Sequence, residues 1–386
     1  MLKTELVRFD DYYKRASEAS KMLDSLNTRI LGCMATVGPR NLLEISRCTG
    51  IPFTTVYHRV AKLERRIGRV AFLVPNHSKL GLTCLMVIAK ARPGLEEQLT
   101  KALKLPNYWW SVTRCEGGFT HHSIHCVPVE HLTRFDSYLK QLSRKGLVDN
   151  LQVVRIGDTL PLNTDFQYYN TADRTWRFAW DKWLEKLIRL NVVKRIDDPT
   201  KYARVADQHD LFIIKELQKN GRTTLAKLAA MMSMTLPGVK YHYDKLLARD
   251  ACKRFKIEVF PFPIELSAVY EIMLDFPSRD HMNRFFSIAS NLFFFLRVAK
   301  VIGKNSLVLR AYIPEMQVSS MFQFLSELTG RKMLASYSAL RLRFEIRESQ
   351  TISYELFDEK KGWMFDYEKY TAELKKILSQ RFTVNS

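Results

Sequence analysis

No stretch of eighteen consecutive apolar residues occurs in this sequence, so no membrane-spanning helix is expected. The first twenty residues, MLKTELVRFDDYYKRASEAS, are charged throughout and have no apolar core of the kind a secretory leader carries, so a cytoplasmic protein is expected. Cysteine is sparse: Cys33, Cys48, Cys84, Cys115, Cys126 and Cys252 are scattered, with no CxxC pair. That pattern fits reduced thiols and not a disulfide framework. Low-complexity tracts are missing, as are the short signatures of catalysis. There is no GxSxG elbow, Walker A loop, HExxH or GxGxxG. The segment IGKNS at 302–306 mimics part of a phosphate loop but lacks the preceding glycine, and it reads as a β-turn. No cofactor, no metal and no catalytic residue is called for by these patterns.

What is present is length, apolar content and positive charge. A chain of 386 residues with 46% hydrophobic residues can bury two to four proper cores. Sixty Lys and Arg against forty Asp and Glu leave a net charge of +20 and a pI near 9.7. Such an excess favours polyanionic partners: DNA, RNA or an acidic membrane surface.

The sequence also echoes itself. RILGCMATVGPRNLLEISRCTGIPFTTVYHRVAKL lies over FIIKELQKNGRTTLAKLAAMMSMTLPGVKYHYDKL at a constant offset of 183. Gly38 meets Gly221, Leu42 meets Leu225, Ile45 meets Leu228, Val56 meets Val239 and Leu63 meets Leu246. After a small insertion Gly117 meets Gly303 and Pro128 meets Pro314. WRFAWDKWLEKL at 176–187 then matches WMFDYEKYTAEL at 363–374. Landmarks spread over so much of the chain predict a duplicated unit of roughly 190 residues.

The first part of each unit predicts three short helices and a strand pair. Leu26, Ile30, Leu31 and Met34 recur at helical spacing, and Gly38 ends that helix. Asn41 followed by Glu44 resembles a capping box opening a second helix, and Gly50 supplies a tight turn. A third helix begins near Thr54 and buries Val56, Val60 and Leu63. In the second copy Thr235 caps the third helix, Pro237 sits in its first turn, and Ser233 replaces the turn glycine. The pattern is that of a winged helix-turn-helix. Its third helix leaves Thr54, Thr55, Tyr57, His58, Arg59 and Lys62 on the solvent side in one copy, and Lys240, Tyr241, His242 and Lys245 in the other. These groups suit base edges and phosphates in a DNA major groove.

The second part of each unit reads as βαββαβ, a ferredoxin-like sheet with helices on one face. Its open face needs a cover, which the other copy can supply. The aromatic tails, Trp176, Phe178, Trp180 and Trp183 with Trp363, Phe365, Tyr367 and Tyr370, have helical spacing. They are expected in the core, each tail helix docking on its own or its partner's sheet. One cluster, HHSIHC, stands apart. On a strand His121, Ser123 and His125 face one way, and His122, Ile124 and Cys126 the other. Residues four apart are roughly 13 Å apart on a strand, too far to share one zinc without a bend, so strand histidines that are hydrogen-bonded or exposed are expected.

The segment LNTRILGCMATVGPRNLLEISRCTGIPFTTVYHRVAKLERRIGRVAFLVPNHSKLGL resembles the DNA-binding half of Lrp/AsnC-type (feast/famine) transcription regulators. That family pairs a winged helix-turn-helix with a βαββαβ effector domain, and the same order runs through most of this chain. The resemblance implies dimerisation through the effector sheets and a small-molecule effector near the loop after the second strand. The matching loops are 115–120, with Gly117 and Gly118, and 301–305, with Gly303; neither carries the acidic residue that follows the loop glycine in the family. Two units in one chain, and the aromatic tails, depart from the family pattern.

The fold expected is α+β, with two winged helix-turn-helix modules each followed by a ferredoxin-like module. Expected boundaries are 1–75 and 76–160 for the first pair, 161–205 for the first tail and linker, 206–262 and 263–348 for the second pair, and 349–386 for the second tail. The function expected is a double-stranded DNA-binding regulator that acts as an intramolecular pseudo-dimer, with room for a further homodimer. No enzyme is expected. The alternatives are a siroheme decarboxylase-like enzyme, since those enzymes of haem biosynthesis share the Lrp/AsnC-like fold, and an architectural protein that coats DNA.

Overall fold

In the computed structural model, the described residues are 21–67, 70–190, 193–251, 254–257, 259 and 261–379. Cys252, residues 1–20 of the first expected module and 380–386 of the last lie outside them.

The N-terminal helices begin and end where side-chain chemistry directs. Asp24 caps α1 (Ser25–Val37) by accepting the Asn27 N–H, and Gly38, at φ 90°, ends it. Asn41 caps α2 (Leu42–Thr49) by accepting the Glu44 N–H at 3.1 Å. Gly50 then takes the left-handed turn, φ 65°, before α3 (Phe53–Ile67). Ile30, Leu31, Met34, Ile45, Val56, Val60 and Leu63 form one core. Strand β1 (Ala71–Val74) follows.

A second set of helices repeats the order. Asp207 and Asp210 make a reciprocal capping box at α7 (Gln208–Lys219). Thr224 caps α8 (Leu225–Met232), and Thr235 caps α9 (Leu236–Ala248) through the Gly238 N–H. Ser233 adopts the left-handed conformation that glycine takes in the first set, φ 53°. Strand β9 (Arg254–Ile257) comes next.

The wing differs from the local strand pair that the sequence suggests. β1 pairs antiparallel with β9, Ala71 opposite Ile257 and Val74 opposite Arg254. Each helix set thus contributes one strand to a shared two-stranded ribbon. Gly221 lies under it: its N–H bonds the Ala71 carbonyl at 2.8 Å. A Cβ there would stand 2.8 Å from the Phe255 ring.

Between the helix sets runs β2 (Leu82–Ala91), α4 (Glu96–Lys104), β3 (Trp109–Glu116), β4 (His121–Pro128), α5 (Leu132–Arg144), β5 (Val148–Ile156). After the second set comes β10 (Ser267–Asp275), α10 (Arg279–Ala289), β11 (Phe295–Lys300), β12 (Ser306–Pro314), α11 (Glu315–Gly330), β13 (Ser336–Ser349). With the short β6 (Leu160–Pro161), these strands form one nine-stranded sheet ordered β5-β2-β4-β3-β13-β10-β12-β11-β6, while β7 (Tyr169–Asn170) and β8 (Thr175–Trp176) pair as a separate short hairpin. The two halves meet edge to edge, β3 against β13, with Cys115 opposite Leu342. At the other margin Ile156 bridges Val301, and the Gly157 N–H bonds the Lys300 carbonyl at 2.8 Å. The sheet therefore curls until its ends touch, and the open faces cover each other without separate stacked sheets. Across the interior His122 of β4 comes within 3.8 Å of Glu271 of β10, a strand it does not neighbour.

The tail helices cross over. The first, α6 (Trp180–Arg189), sends Trp183, Leu184 and Leu187 into the core of the second half-sheet. There Phe178, Trp180 and Trp183 meet Phe293 and Phe294. The last, α12 (Tyr367–Ser379), sends Tyr370 and Leu374 into the core of the first half-sheet, beside Phe365 on Tyr108. Trp363 donates its indole N–H to the Leu80 carbonyl at 2.8 Å. A buried Trp covers roughly 150–250 Å², so at about 25 cal/mol per Å² each such anchor contributes up to about 4–6 kcal/mol.

Candidate nucleic-acid interface

The apolar stripe of α3, Val56, Val60 and Leu63, is wholly buried, which fixes what the opposite side shows. Thr54, Tyr57, His58 and Lys62 are exposed, and Thr55 is half-buried. In α9 Val239 and Leu246 are buried, leaving Lys240 and Tyr241 exposed. Tyr57 and Tyr241 have 52% and 66% of their surface in solvent, high values for tyrosines on ordered helices. Lys240 pairs with Asp244 one turn on, both well exposed.

The remaining candidates are engaged inside the fold. Arg59 reaches back to the cap of α1, 2.7 Å from Asp24, and to Asn27 at 3.1 Å. At the same offset of 183, the His242 Nδ1 donates to the Asp210 carboxylate at 2.8 Å and lies 3.7 Å from Asp207. Lys245 sits 2.6 Å from both carboxylates. In each module the cap of the first helix therefore holds the third. Burial works to raise the Asp207 carboxyl, but Lys245 and the Asp210 N–H outweigh it and hold it below its usual value. Burial likewise disfavours the charged Lys245, yet Asp207 and Asp210 raise its ammonium above the usual range. At this contact the two modules differ at two aligned positions, Arg59 for His242 and Asn27 for Asp210. Asn27 stands where the second has Asp210, so the neutral amide leaves Lys62 in solvent while the carboxylate captures Lys245.

Sequence reasoning missed Phe53 and Leu236, which open the two helices and are 45% and 50% exposed. The offset of 183 relates them, but apolar residues beside an apolar stripe read as core. The ring of Phe53 lies along that of Tyr57, centroids 6.4 Å apart. The helix sets also touch each other. Arg222 bonds Glu64 of α3 at 2.7 Å and the Pro39 carbonyl at 2.7 Å. The Arg40 guanidinium stands 4.6 Å over the Tyr243 ring of α9. With the β1/β9 ribbon these contacts join the two exposed faces in one body.

Other candidate residues sit elsewhere. Gly117, φ 96°, and Gly118 form the open β3–β4 turn, and Gly303, φ 75°, the β11–β12 turn. Asp198 accepts the Gly303 N–H at 3.2 Å. In the histidine cluster, His121 bonds Thr100 and Thr120, at 2.9 and 2.8 Å. His125 bonds Ser123 at 2.9 Å and faces Phe135. His122 points into the curled sheet towards Glu271, Arg297 and Arg310. Burial lowers His121 to about 4 and His122 and His125 to about 3, so all three are neutral at physiological pH.

A family profile described as winged helix-turn-helix DNA-binding matches residues 207–250. An uncharacterized HTH-type transcriptional regulator of Pyrococcus horikoshii, PH0045, is 32% identical over 124 residues, which are 32% of this chain and 79% of that protein. Among solved structures, an AsnC family transcriptional regulator from Agrobacterium tumefaciens aligns with TM-score 0.29 and 16% identity, over 34% of this chain and 89% of that one. The siroheme decarboxylase NirDL aligns with TM-score 0.49 and 13% identity, over 92% of this chain and 98% of that one. The expectation that the chain is no enzyme is overturned by that last likeness, because a solved structure matched over nearly the whole chain is an enzyme's. At 13% identity it assigns no reaction to this chain. No helix among the described residues is long and apolar enough to cross a membrane.

Proposed function

Since the chain belongs to the Lrp/AsnC-type family of winged helix-turn-helix transcription regulators, we propose that it binds one DNA duplex with both of its helix sets at once. The chain is a tandem duplication folded as its own pseudo-dimer, with modules at 1–75 and 206–262 for DNA and 76–160 and 263–348 as the effector core. Helices α3 and α9 enter successive major grooves. Thr54, Tyr57, His58 and Lys62, with Lys240 and Tyr241, make the contacts. Phe53 and Leu236 meet thymine methyls or sugar edges. Arg59, His242 and Lys245 hold the helices in place from behind.

The observation that supports this best is the pairing of two exposed, aromatic and basic faces with a rigid link between them. Arg222 on Glu64 and Pro39, Arg40 over Tyr243, and the β1/β9 ribbon all tie one helix set to the other. Helix-turn-helix dimers read half-sites about one helical turn, ~34 Å, apart. Because Tyr57 and His58 lie where the second copy has Lys240 and Tyr241, the two half-sites differ, and the preferred site is not a palindrome. The turns at Gly117–Gly118 and Gly303 are the places where a small effector acts in this proposal.

Selection of bound fragments from random DNA, followed by footprinting, tests it. A discrete asymmetric site supports a regulator. Uniform protection replaces it with a coating protein, and absence of salt-dependent binding to any duplex ends it.

A further inference from the structure

A cluster unrelated to the DNA-facing helices lies where the ribbon joins the curled sheet. His77 stands in the short turn His77–Lys79, three residues after β1 ends. Cys84 of β2 and Cys126 of β4 are directly opposite in register, and their sulfurs are 3.3 Å apart. One ring nitrogen of His77 and both sulfurs lie within 4.8 Å of one another, and all three residues are buried. His77 is only 3% exposed, and its Nδ1 has no hydrogen-bond partner. A cavity of about 20 Å³ adjoins them, bounded by His77, Trp110 and Cys126, room for a single water.

We propose that His77, Cys84 and Cys126 bind one Zn(II)-class ion, whose fourth coordination position opens on this cavity. The distances decide between a metal and a cross-strand disulfide. Tetrahedral bonds of ~2.3 Å place two zinc-bound sulfurs ~3.8 Å apart, so the observed pair need separate by only ~0.5 Å. A disulfide, at ~2.05 Å, requires an approach of ~1.3 Å and leaves the histidine without a role. Two thiolates and a neutral imidazole are ligands that zinc takes, and a three-ligand set with a vacant fourth position is the pattern of reactive zinc centres and not of closed structural ones. Without an ion, contact with the Cys126 sulfur and then burial hold the Cys84 thiol well above its ordinary range. Binding therefore displaces protons, and affinity rises with pH.

The test is titration of the reduced, metal-free full-length protein with Co(II), which reports tetrahedral thiolate ligation by its visible d–d absorption. The result expected is one Co(II) per chain, displaced one for one by Zn(II). The absorption is lost in Cys84→Ser and in Cys126→Ser and retained in Cys48→Ser, whose thiol is exposed and outside the cluster. His77→Gln weakens Co(II) binding by roughly tenfold or more. Should a buried serine unfold the chain, alkylation of the wild type gives an independent readout: Zn(II) protects Cys84 and Cys126 and leaves Cys48 reactive. The proposal is overturned by folded protein that shows no such bands, by bands that survive Cys84→Ser, or by Zn(II) failing to protect those two thiols.

Discussion

Replacing Asp210 by Asn exposes how the second DNA-facing helix is held. The Asp210 side chain is fully buried and carries three loads. It accepts the Asp207 N–H at 3.0 Å, lies 2.8 Å from His242 and pairs with Lys245 at 2.6 Å. An amide oxygen at this position still accepts the cap N–H. What it loses is the charge facing Lys245. Removing one partner of a buried pair costs about 3–5 kcal/mol when the other is left alone. Here Asp207 remains 2.6 Å away, so the loss is nearer that of one charge-assisted hydrogen bond, about 1.5–3 kcal/mol. Amide hydrogen exchange along α9 should quicken by roughly 10- to 150-fold at that cost, while α3 is unchanged. The reciprocal change, Asn27→Asp, should draw Lys62 out of solvent and lower the salt dependence of DNA binding by about one counterion. Unaltered exchange in α9, or acceleration spread equally over α3, would refute the idea that this one carboxylate secures the helix.

Five further outcomes follow from the structure. Lys62→Ala should weaken binding to every sequence alike and reduce the log–log salt slope by about one, whereas Lys245→Met should leave the slope unchanged and lower stability. Gly221→Val should cost about 1–3 kcal/mol in denaturant unfolding, because the new side chain meets the Phe255 ring and the Ala71 carbonyl beneath the ribbon. Trp363→Ala should cost about 3–5 kcal/mol and free the last helix to proteolysis, since it removes both the buried indole and its bond to Leu80. Acid should destabilise the chain steeply from about pH 6.5 downwards. His121, His122 and His125 titrate near 6.5 when unfolded but at about 4, 3 and 3 when folded. Unfolding thus takes up protons in that window, and proton uptake near three at pH 5, measured in buffers of different ionisation enthalpy, checks the sign.

Much of the helix chemistry was legible in the sequence because it is local. Asn41 before Glu44, Thr235 before Pro237, and the Val56–Val60–Leu63 stripe all act within one or two turns of chain. The offset of 183 also carried more than the repeat itself: it relates Asp24 and Arg59 to Asp207 and His242. What stayed hidden is non-local. Nothing in residues 71–74 says that their partner strand lies at 254–257, nor that the tail at 180–189 packs on the later half-sheet. The exposure of Phe53 and Leu236 could not be told from burial by hydrophobicity alone. Lys245 looked like Lys62 because its counter-charges, Asp207 and Asp210, sit on another helix. His77, Cys84 and Cys126 follow no metal-binding spacing. Only the β2/β4 register and the turn after β1 bring them together.

The most direct measurement is hydroxyl-radical footprinting of the selected duplex with stoichiometry fixed at one chain per site. The account predicts two protected windows about 10 base pairs apart on one duplex. A variant stripped of Tyr57 and Lys62 loses one window, and a variant stripped of Lys240 and Tyr241 loses the other. A single window per chain, or two windows that appear only when two chains are bound, would contradict it.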